Sequence, residues 1–236
     1  MTTALRPTKL LAQAANDWFE GIADPVEQAL TVLRWAGTTF GDDFAITSSM
    51  ADGLLAHLAA RAVPGVRVIF LETGYHFAET LGTRDWIASA LDVTVVNVHP
   101  DLTVAEQDAE YGPELYKRDP DRCCEMRKVV PLGRTLAGYA AWGSGVRRDE
   151  SSSRSSTRVI DWDAKREKIK INPLAFWTQD VVDAYMDEHR VPVNPLVELG
   201  YASIGCAPCT RPVAEGEDAR AGRWSGKDKT ECGLHT

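Results

Sequence analysis

The chain has 236 residues, 44% of them hydrophobic and 25% charged, with a formal net charge of −8. That length accommodates one sizeable α/β domain with an appendage and needs no disulfide staples. The acidic balance argues against general affinity for nucleic acid, which needs a basic surface, and leaves room for a local basic pocket facing an anionic small molecule. No apolar run approaches the roughly 20 residues that span a bilayer. The opening Met1-Thr2-Thr3-Ala4-Leu5-Arg6-Pro7 lacks the apolar core of a signal peptide. The expected compartment is the cytoplasm, where thiols stay reduced and clustered cysteines usually serve metal or catalysis.

Residues 8–22 and 24–40 read as two amphipathic helices, the second opening on Asp24-Pro25-Val26-Glu27 with an acceptor at the cap, proline first and an acid third. Trp18, Phe19, Leu30, Leu33 and Trp35 are expected to pack them. Asp43-Phe44-Ala45-Ile46-Thr47 reads as a buried strand that runs through Ser48-Ser49-Met50-Ala51-Asp52-Gly53 into a helix over 54–61. A strand that stops at small hydroxyl residues and feeds a helix suits a phosphate or sulfate, and equally suits an ordinary serine-capped turn. Val66-Arg67-Val68-Ile69-Phe70-Leu71 is a second strand, followed by Glu72-Thr73-Gly74 and a helix reaching about Leu91. Residues 93–98 are a third strand. Alternating strands and helices at this spacing predict a parallel sheet with helices on both faces. Ligands of such sheets sit beyond the carboxyl ends of the strands, where Ser48, Ser49 and Glu72-Thr73-Gly74 would lie.

Residues 100–121 are polar, with a helix predicted around 104–111. Arg122-Cys123-Cys124-Glu125-Met126-Arg127-Lys128 then leads to a helix ending near Gly138, and 140–146 reads as a strand. Its end meets Arg147-Arg148 and the serine-rich residues 151–156. Those admit two readings, a solvated linker or a lid bringing Arg147, Arg148 and Arg154 to an anion. Residues 159–162 and 168–172 are expected to form a hairpin, and Thr178-Gln179-Asp180 caps a helix to about His189. Residues 211–236 show little apolar periodicity and read as a tail that orders only partly.

The chain has five cysteines, four of them in two tight pairs, Cys123-Cys124 and Cys206-Ala207-Pro208-Cys209. In a cytoplasmic chain, two such pairs favour one shared metal centre over small buried hydrophobes or a redox dithiol. Zinc is a common guest of four cysteines. Adjacent cysteines on a single ion are cramped, which favours a larger iron–sulfur cube. The fifth, Cys232, is either an inert tail thiol or a nucleophile whose thiolate is favoured by Arg220, Arg223, Lys227, Lys229 and His235 nearby.

Several stretches taken together resemble the assimilatory sulfonucleotide reductases, specifically the iron–sulfur adenosine 5′-phosphosulfate (APS) reductase type. They are residues 71–77, Cys123-Cys124 with Arg127-Lys128 and Pro131-Leu132, Arg147-Arg148-Asp149, and Ile171-Asn172-Pro173-Leu174. Gly205-Cys206-Ala207-Pro208-Cys209-Thr210, Gly222-Arg223-Trp224 and Glu231-Cys232-Gly233-Leu234-His235 complete the set. The resemblance covers nearly the whole chain after the first two helices. It implies an adenine nucleotide α-hydrolase-like fold over 1–210, and a flexible catalytic tail over 211–236. It implies a [4Fe-4S] cluster on Cys123, Cys124, Cys206 and Cys209, and attack of Cys232 on the sulfur of APS to give AMP and an S-sulfocysteine. Thioredoxin or a similar dithiol would then release sulfite for cysteine biosynthesis. By the same resemblance Lys128 stands between cluster and substrate, and Arg220, Arg223 and His235 surround the phosphosulfate. Ser48, Ser49, Asp52, Glu72, Thr73, Gly74, Arg147 and Arg148 are the expected nucleotide contacts.

Two departures stand out. The loop 47–53 lacks glycines that relatives often carry ahead of Asp52, and the stretch from Arg223 to Cys232 is shorter than in some. Rival readings are a reductase of the 3′-phosphorylated nucleotide (PAPS) or of both nucleotides, and a zinc-stabilised nucleotide-binding regulatory module. Oligomeric state, a homo-oligomer included, is left open.

Overall fold

The structure is a computed structural model describing residues 7–229 and 231–234. Residues 1–6, 230 and 235–236 lie outside these, and with them the stretch read above for a signal peptide and the candidate site residue His235.

Helices α1 (Lys9–Phe19) and α2 (Pro25–Phe40) open the chain. Each begins where a side chain meets the unpaired N–H groups of a helix start. Thr8 Oγ1 accepts from the Leu11 N–H at 3.1 Å, and Asp24 Oδ1 from the Glu27 N–H at 2.7 Å. The first helix stops earlier than its periodicity predicts. The Gln28 side-chain amide explains the stop, because it donates to the Phe19 and Ile22 carbonyls that a longer helix would use itself.

Six strands form one sheet: β1 (Phe44–Thr47), β2 (Val66–Leu71), β3 (Val93–Val98), β4 (Ala141–Gly143), β5 (Ile160–Asp163) and β6 (Lys168–Ile171). Their order is β3-β2-β1-β4-β6-β5, and every neighbouring pair is parallel except β5 with β6. The order grows outward from β1 in one direction and from β4 in the other, so the crevice between their carboxyl ends is the switch point where such sheets bind ligands. One face is covered by α2, α3 (Leu54–Ala62) and α9 (Gln179–His189), whose Leu33, Leu58 and Val182 join Val68, Phe70 and Trp177. The other buries Ala45, Ile69 and Trp142 under Leu132 and Leu136 of α8 (Val130–Leu136). Helix α4 (Ala78–Ala90) links β2 to β3.

The strand expected over 140–146 is only three residues long. Beyond Gly143 one more rung follows, the Ser144 N–H donating to the Ile171 carbonyl at 2.8 Å, while the Ser144 hydroxyl donates to Asn172 Oδ1 at 2.7 Å. The polar region after β3 holds α5 (Val104–Tyr111), capped reciprocally by Thr103 and Glu106, then the short α6 (Leu115–Arg118) and α7 (Pro120–Cys124). A π-helical turn, Glu125–Val129, runs α7 into α8. Pro131 just beyond it has no N–H for an i−4 bond, and π turns inside helices often mark functional positions.

Residues 211–229 carry neither helix nor strand, in keeping with their weak periodicity. They lie along the domain through the buried Trp224, a bridge from Arg223 to Thr210, and the ion pair of Lys229 with Asp121. No helix among the described residues is long and apolar enough to cross a membrane.

Candidate active site

The β1–α3 turn forms one wall of the crevice. The Ser48 N–H continues the sheet to the Ile69 carbonyl at 3.1 Å, and its hydroxyl accepts from the Met50 N–H at 3.2 Å. Ser49 is exposed at the edge. Met50 adopts a left-handed φ of 58° with its side chain fully buried. Asp52 Oδ1 accepts from the Leu54 N–H at 2.9 Å at the start of α3. Burial pushes its carboxyl up, outweighing that bond and the nearby Arg147.

At the end of β2, Glu72 serves the loop itself: Oε1 accepts from the Gly74 N–H at 3.0 Å and Oε2 faces Arg84 at 3.4 Å. Gly74 has a φ of 74° with the Arg127 guanidinium against it, a place where glycine is favoured. Arg127, 3% exposed, donates from Nε to the Thr73 carbonyl at 2.5 Å and from Nη1 to Gln107 at 2.9 Å. Nothing in the periodicity marked Arg127 as more than part of a motif. Its burial inside the π turn makes it the brace between that turn and the end of β2.

The two cysteine pairs meet in one recess. Cys123, Cys124, Cys206 and Cys209 line it with Tyr75, Tyr116, Arg127, Lys128, Pro208 and Trp224. The C-x-x-C loop is fastened to the β2 edge by the Ala207 N–H donating to the Tyr75 carbonyl at 2.7 Å, and by Thr73 Oγ1 lying 3.4 Å from Cys206 Sγ. Burial, and then the facing thiols, push Cys123 up to about 12, and the same causes push Cys209 up to about 11; Cys124 is also raised, chiefly by burial. Burial would raise Cys206 too, but the Lys128 ammonium, the Thr73 bond and Arg223 outweigh it, and its thiol lies below the ordinary value. Four thiols that oppose one another's ionisation form a donor set that a positively charged centre would relieve. Among the described residues no three His, Cys, Asp or Glu close in as a group for one metal ion. Four cysteine sulfurs lining one recess are the donor type that iron–sulfur clusters take, so the residue types fit such a cluster.

Lys128 lines the same recess. Its ammonium is held charged above the usual lysine range: burial opposes it, but the sulfurs of Cys206, Cys232 and Cys124 more than compensate. Cys232 is half-buried and close enough to Cys124 for their charges to interact. Arg223 stacks on the Trp224 ring at 4.5 Å and lies over Gly205, where a Cβ would come within 2.2 Å of its Nη2. Arg220 reaches Glu231 at 3.1 Å. The two neighbouring arginines after β4 diverge. Arg147 keeps to the crevice, donating to Gln179 at 2.8 Å with Nη1 buried and unbonded among the described residues. Arg148 turns the other way, to the Thr157 carbonyl at 2.6 Å, Glu20 at 3.3 Å and the Phe176 ring at 4.0 Å, where it braces the N-terminal helices. The structure thus brings Ser48, Asp52, Thr73, Arg147, Lys128, Arg223, Arg220 and Cys232 to one end of the sheet and leaves Arg148 out. Glu231 and Trp224 join them there, and no local periodicity singled out either.

Residues 44–212 match the phosphoadenosine phosphosulfate reductase domain. The chain belongs to this reductase family. An adenosine 5′-phosphosulfate reductase of Streptomyces coelicolor A3(2) is 63% identical over 207 residues, covering 88% of each chain. Proteins with that name from Rhodococcus opacus B4 and Mycobacterium tuberculosis H37Ra are each 50% identical, again over 88% of each chain. Among solved structures, the phosphoadenylyl-sulfate reductase of Candida auris in its phosphate complex superposes with a TM-score of 0.72 at 26% identity, over 89% of this chain and 100% of that one. The FMN adenylyltransferase of Candida glabrata shares the reductase's fold alone, at a TM-score of 0.53 and 13% identity over 89% of this chain and 75% of that one.

Proposed function

We propose that this chain is an oxidoreductase acting on sulfur, an adenosine 5′-phosphosulfate reductase that forms sulfite and AMP. The observation carrying this reading is Lys128, a buried ammonium facing both the recess of paired cysteines and the solitary Cys232. Such a cation complements the negative charge of an approaching phosphosulfate. The Cys232 sulfur attacks the sulfonate sulfur of APS. A new S–S bond forms, the S–O bond to phosphate breaks, and its electron pair leaves with AMP, whose charge Arg220 and Arg223 are placed to receive. One thiol of a dithiol donor, thioredoxin or a similar protein, then attacks the Cys232 sulfur and expels sulfite. The second thiol resolves the mixed disulfide and restores Cys232.

Cys123, Cys124, Cys206 and Cys209 would hold a [4Fe-4S] cluster, which would compensate the charge of their four thiolates and tie the π turn to the C-x-x-C loop. The PAPS alternative has support in the Candida auris neighbour, at 26% identity. Relatives at 50–63% identity carry the APS name, and they outweigh it. Thiols that must remain reduced suit the cytoplasm.

The test uses anaerobically purified full-length protein. Iron, acid-labile sulfide and sulfite formation from APS, with slower formation from PAPS, are the expected results. Faster turnover of PAPS overturns the substrate, and colourless iron-free protein overturns the cofactor. Cys232→Ser should still bind nucleotide and keep its colour, yet form neither sulfite nor a sulfite adduct detectable by mass spectrometry. Turnover by this variant would remove Cys232 from the role of nucleophile.

A further inference from the structure

A run of alternating charges crosses the crevice. Glu150 Oε2 accepts from the Arg147 N–H at 3.1 Å, and its Oε1 lies 3.9 Å from Arg147 Nε. Arg154 Nη1 reaches the same Glu150 carboxylate. The other side of the Arg154 guanidinium donates two parallel bonds to Glu231, Nε to Oε1 at 3.0 Å and Nη2 to Oε2 at 3.1 Å. Arg220 Nη2 donates to Glu231 Oε2 at 3.1 Å. These five side chains are between 14% and 29% exposed, sheltered enough for the pairing to be screened less than at an open surface. The ladder therefore joins the end of β4, the serine-rich segment and the tail, and its last carboxylate is the residue before Cys232. On the far side of Cys232 a second anchor holds the tail: the Leu234 carbonyl accepts from Arg166 Nη2 at 3.3 Å, and its side chain rests on the second core.

We propose that Glu231 is a positioning residue, gripped by Arg154 and Arg220 so that Cys232 is held toward Lys128 and docks together with the serine-rich segment. A two-bond fork fixes a carboxylate in direction as well as in place. Two arginines from separate segments on one carboxylate make the tail's docked position depend on both. The inference rests on Cys232 being the nucleophile proposed above.

The test compares parent, Glu231→Gln and Glu231→Asp as full-length protein with cluster. The first readout is iodoacetamide alkylation of Cys232, followed by peptide mass mapping on the alkaline plateau of the rate, so that accessibility rather than ionisation is measured. Hydrogen bonds to charged groups contribute enough that losing them should accelerate alkylation in Glu231→Gln by about tenfold or more. In sulfite formation, kcat should fall by about the same factor with KM for APS little changed, and Glu231→Asp should recover part of it. Salt near 1 M, where the screening length is about 3 Å, should speed alkylation of the parent and not of Glu231→Gln. Parent-like alkylation and kcat in Glu231→Gln overturn the inference, and so does a change in KM alone. If that variant does not fold, Glu150→Gln decides: it loosens Arg154 without touching the tail, and unchanged Cys232 alkylation in it overturns the inference. Should the parent make no sulfite, the proposed function fails while alkylation still decides the role of Glu231.

Discussion

Thr73 Oγ1 lies 3.4 Å from Cys206 Sγ, joining the carboxyl end of β2 to a loop 133 residues further along the chain. The bond is one of the contacts that bring the Cys206 thiol below its ordinary value against the opposing effect of burial. Partners of metal-bound sulfurs typically change metal affinity about 10–100-fold. Thr73→Val keeps the shape and removes the donor, so iron of the proposed cluster should be lost faster on exposure to air by a factor in that range, with circular dichroism unchanged. Equal iron retention would mean that the bond only fastens the loop.

Lys128 is expected to act on rate more than on binding. Lys128→Met keeps the length of the side chain and removes the ammonium that faces Cys232 and Cys206. Loss of one preorganised charge at a site of this kind costs about 10²–10³ in kcat. Single-turnover formation of the Cys232 sulfite adduct, followed by mass spectrometry, should slow by that factor. An adduct forming at the parental rate would exclude the ammonium from the chemical step.

Gly205 is where the tail needs an absent side chain. An added Cβ would overlap the end of Arg223, which is flexible enough to move aside. Gly205→Ala should therefore fold with a Tm near that of the parent while displacing Arg223 from Trp224. Activity should drop by about tenfold or more, and a fully active variant would show that Arg223 has no fixed place in the reaction.

Lys170 offers a pH signature away from the chemistry. It sits 5.2 Å from the Trp142 ring, and burial pushes its ammonium down to about 8 against the pull of Asp163 and Asp161. Between about 8 and the ordinary lysine value of 10.5, the unfolded chain keeps a proton that the folded one has released. Stability attributable to this group therefore rises with pH across that window, and the full penalty is present below it. Lys170→Met should be more stable than the parent at pH 7, by up to about 3 kcal/mol, and the gap should close as pH climbs toward 10.5. Urea unfolding of both proteins at pH 7 and pH 10 measures it; a gap that does not change with pH would assign the effect to packing.

The fold was legible where residues repeat. The β-branched runs at 66–71 and 93–98 are strands β2 and β3, and the caps at Asp24 and Thr178 start helices α2 and α9. The cysteine pairs announced a shared recess because their residue type and tight spacing are chemical signals in themselves. Direction was not legible. Arg147 and Arg148 are adjacent and chemically identical, and only the fold turns one into the crevice and the other onto Phe176. Glu231 stands in the sequence only as part of the stretch around Cys232, and its role shows once Arg154, 77 residues earlier, is brought against it. Strand β4 is shorter than the stretch 140–146 read as a strand: past Gly143 the chain carries Ser144-Gly145, and the Ser144 hydroxyl turns to Asn172.

Met50 stands in a left-handed turn where glycine would be the easy choice, and its side chain is rooted in the core. Glycine there would relieve the backbone by about 1 kcal/mol and forfeit a buried side chain contributing roughly 1.5–3 kcal/mol. The β1–α3 turn, expected from the sequence to seat the nucleotide, is therefore built into the folded protein rather than assembled around a guest. Little disorder remains for an arriving anion to quench, and the affinity it gains can go into recognition.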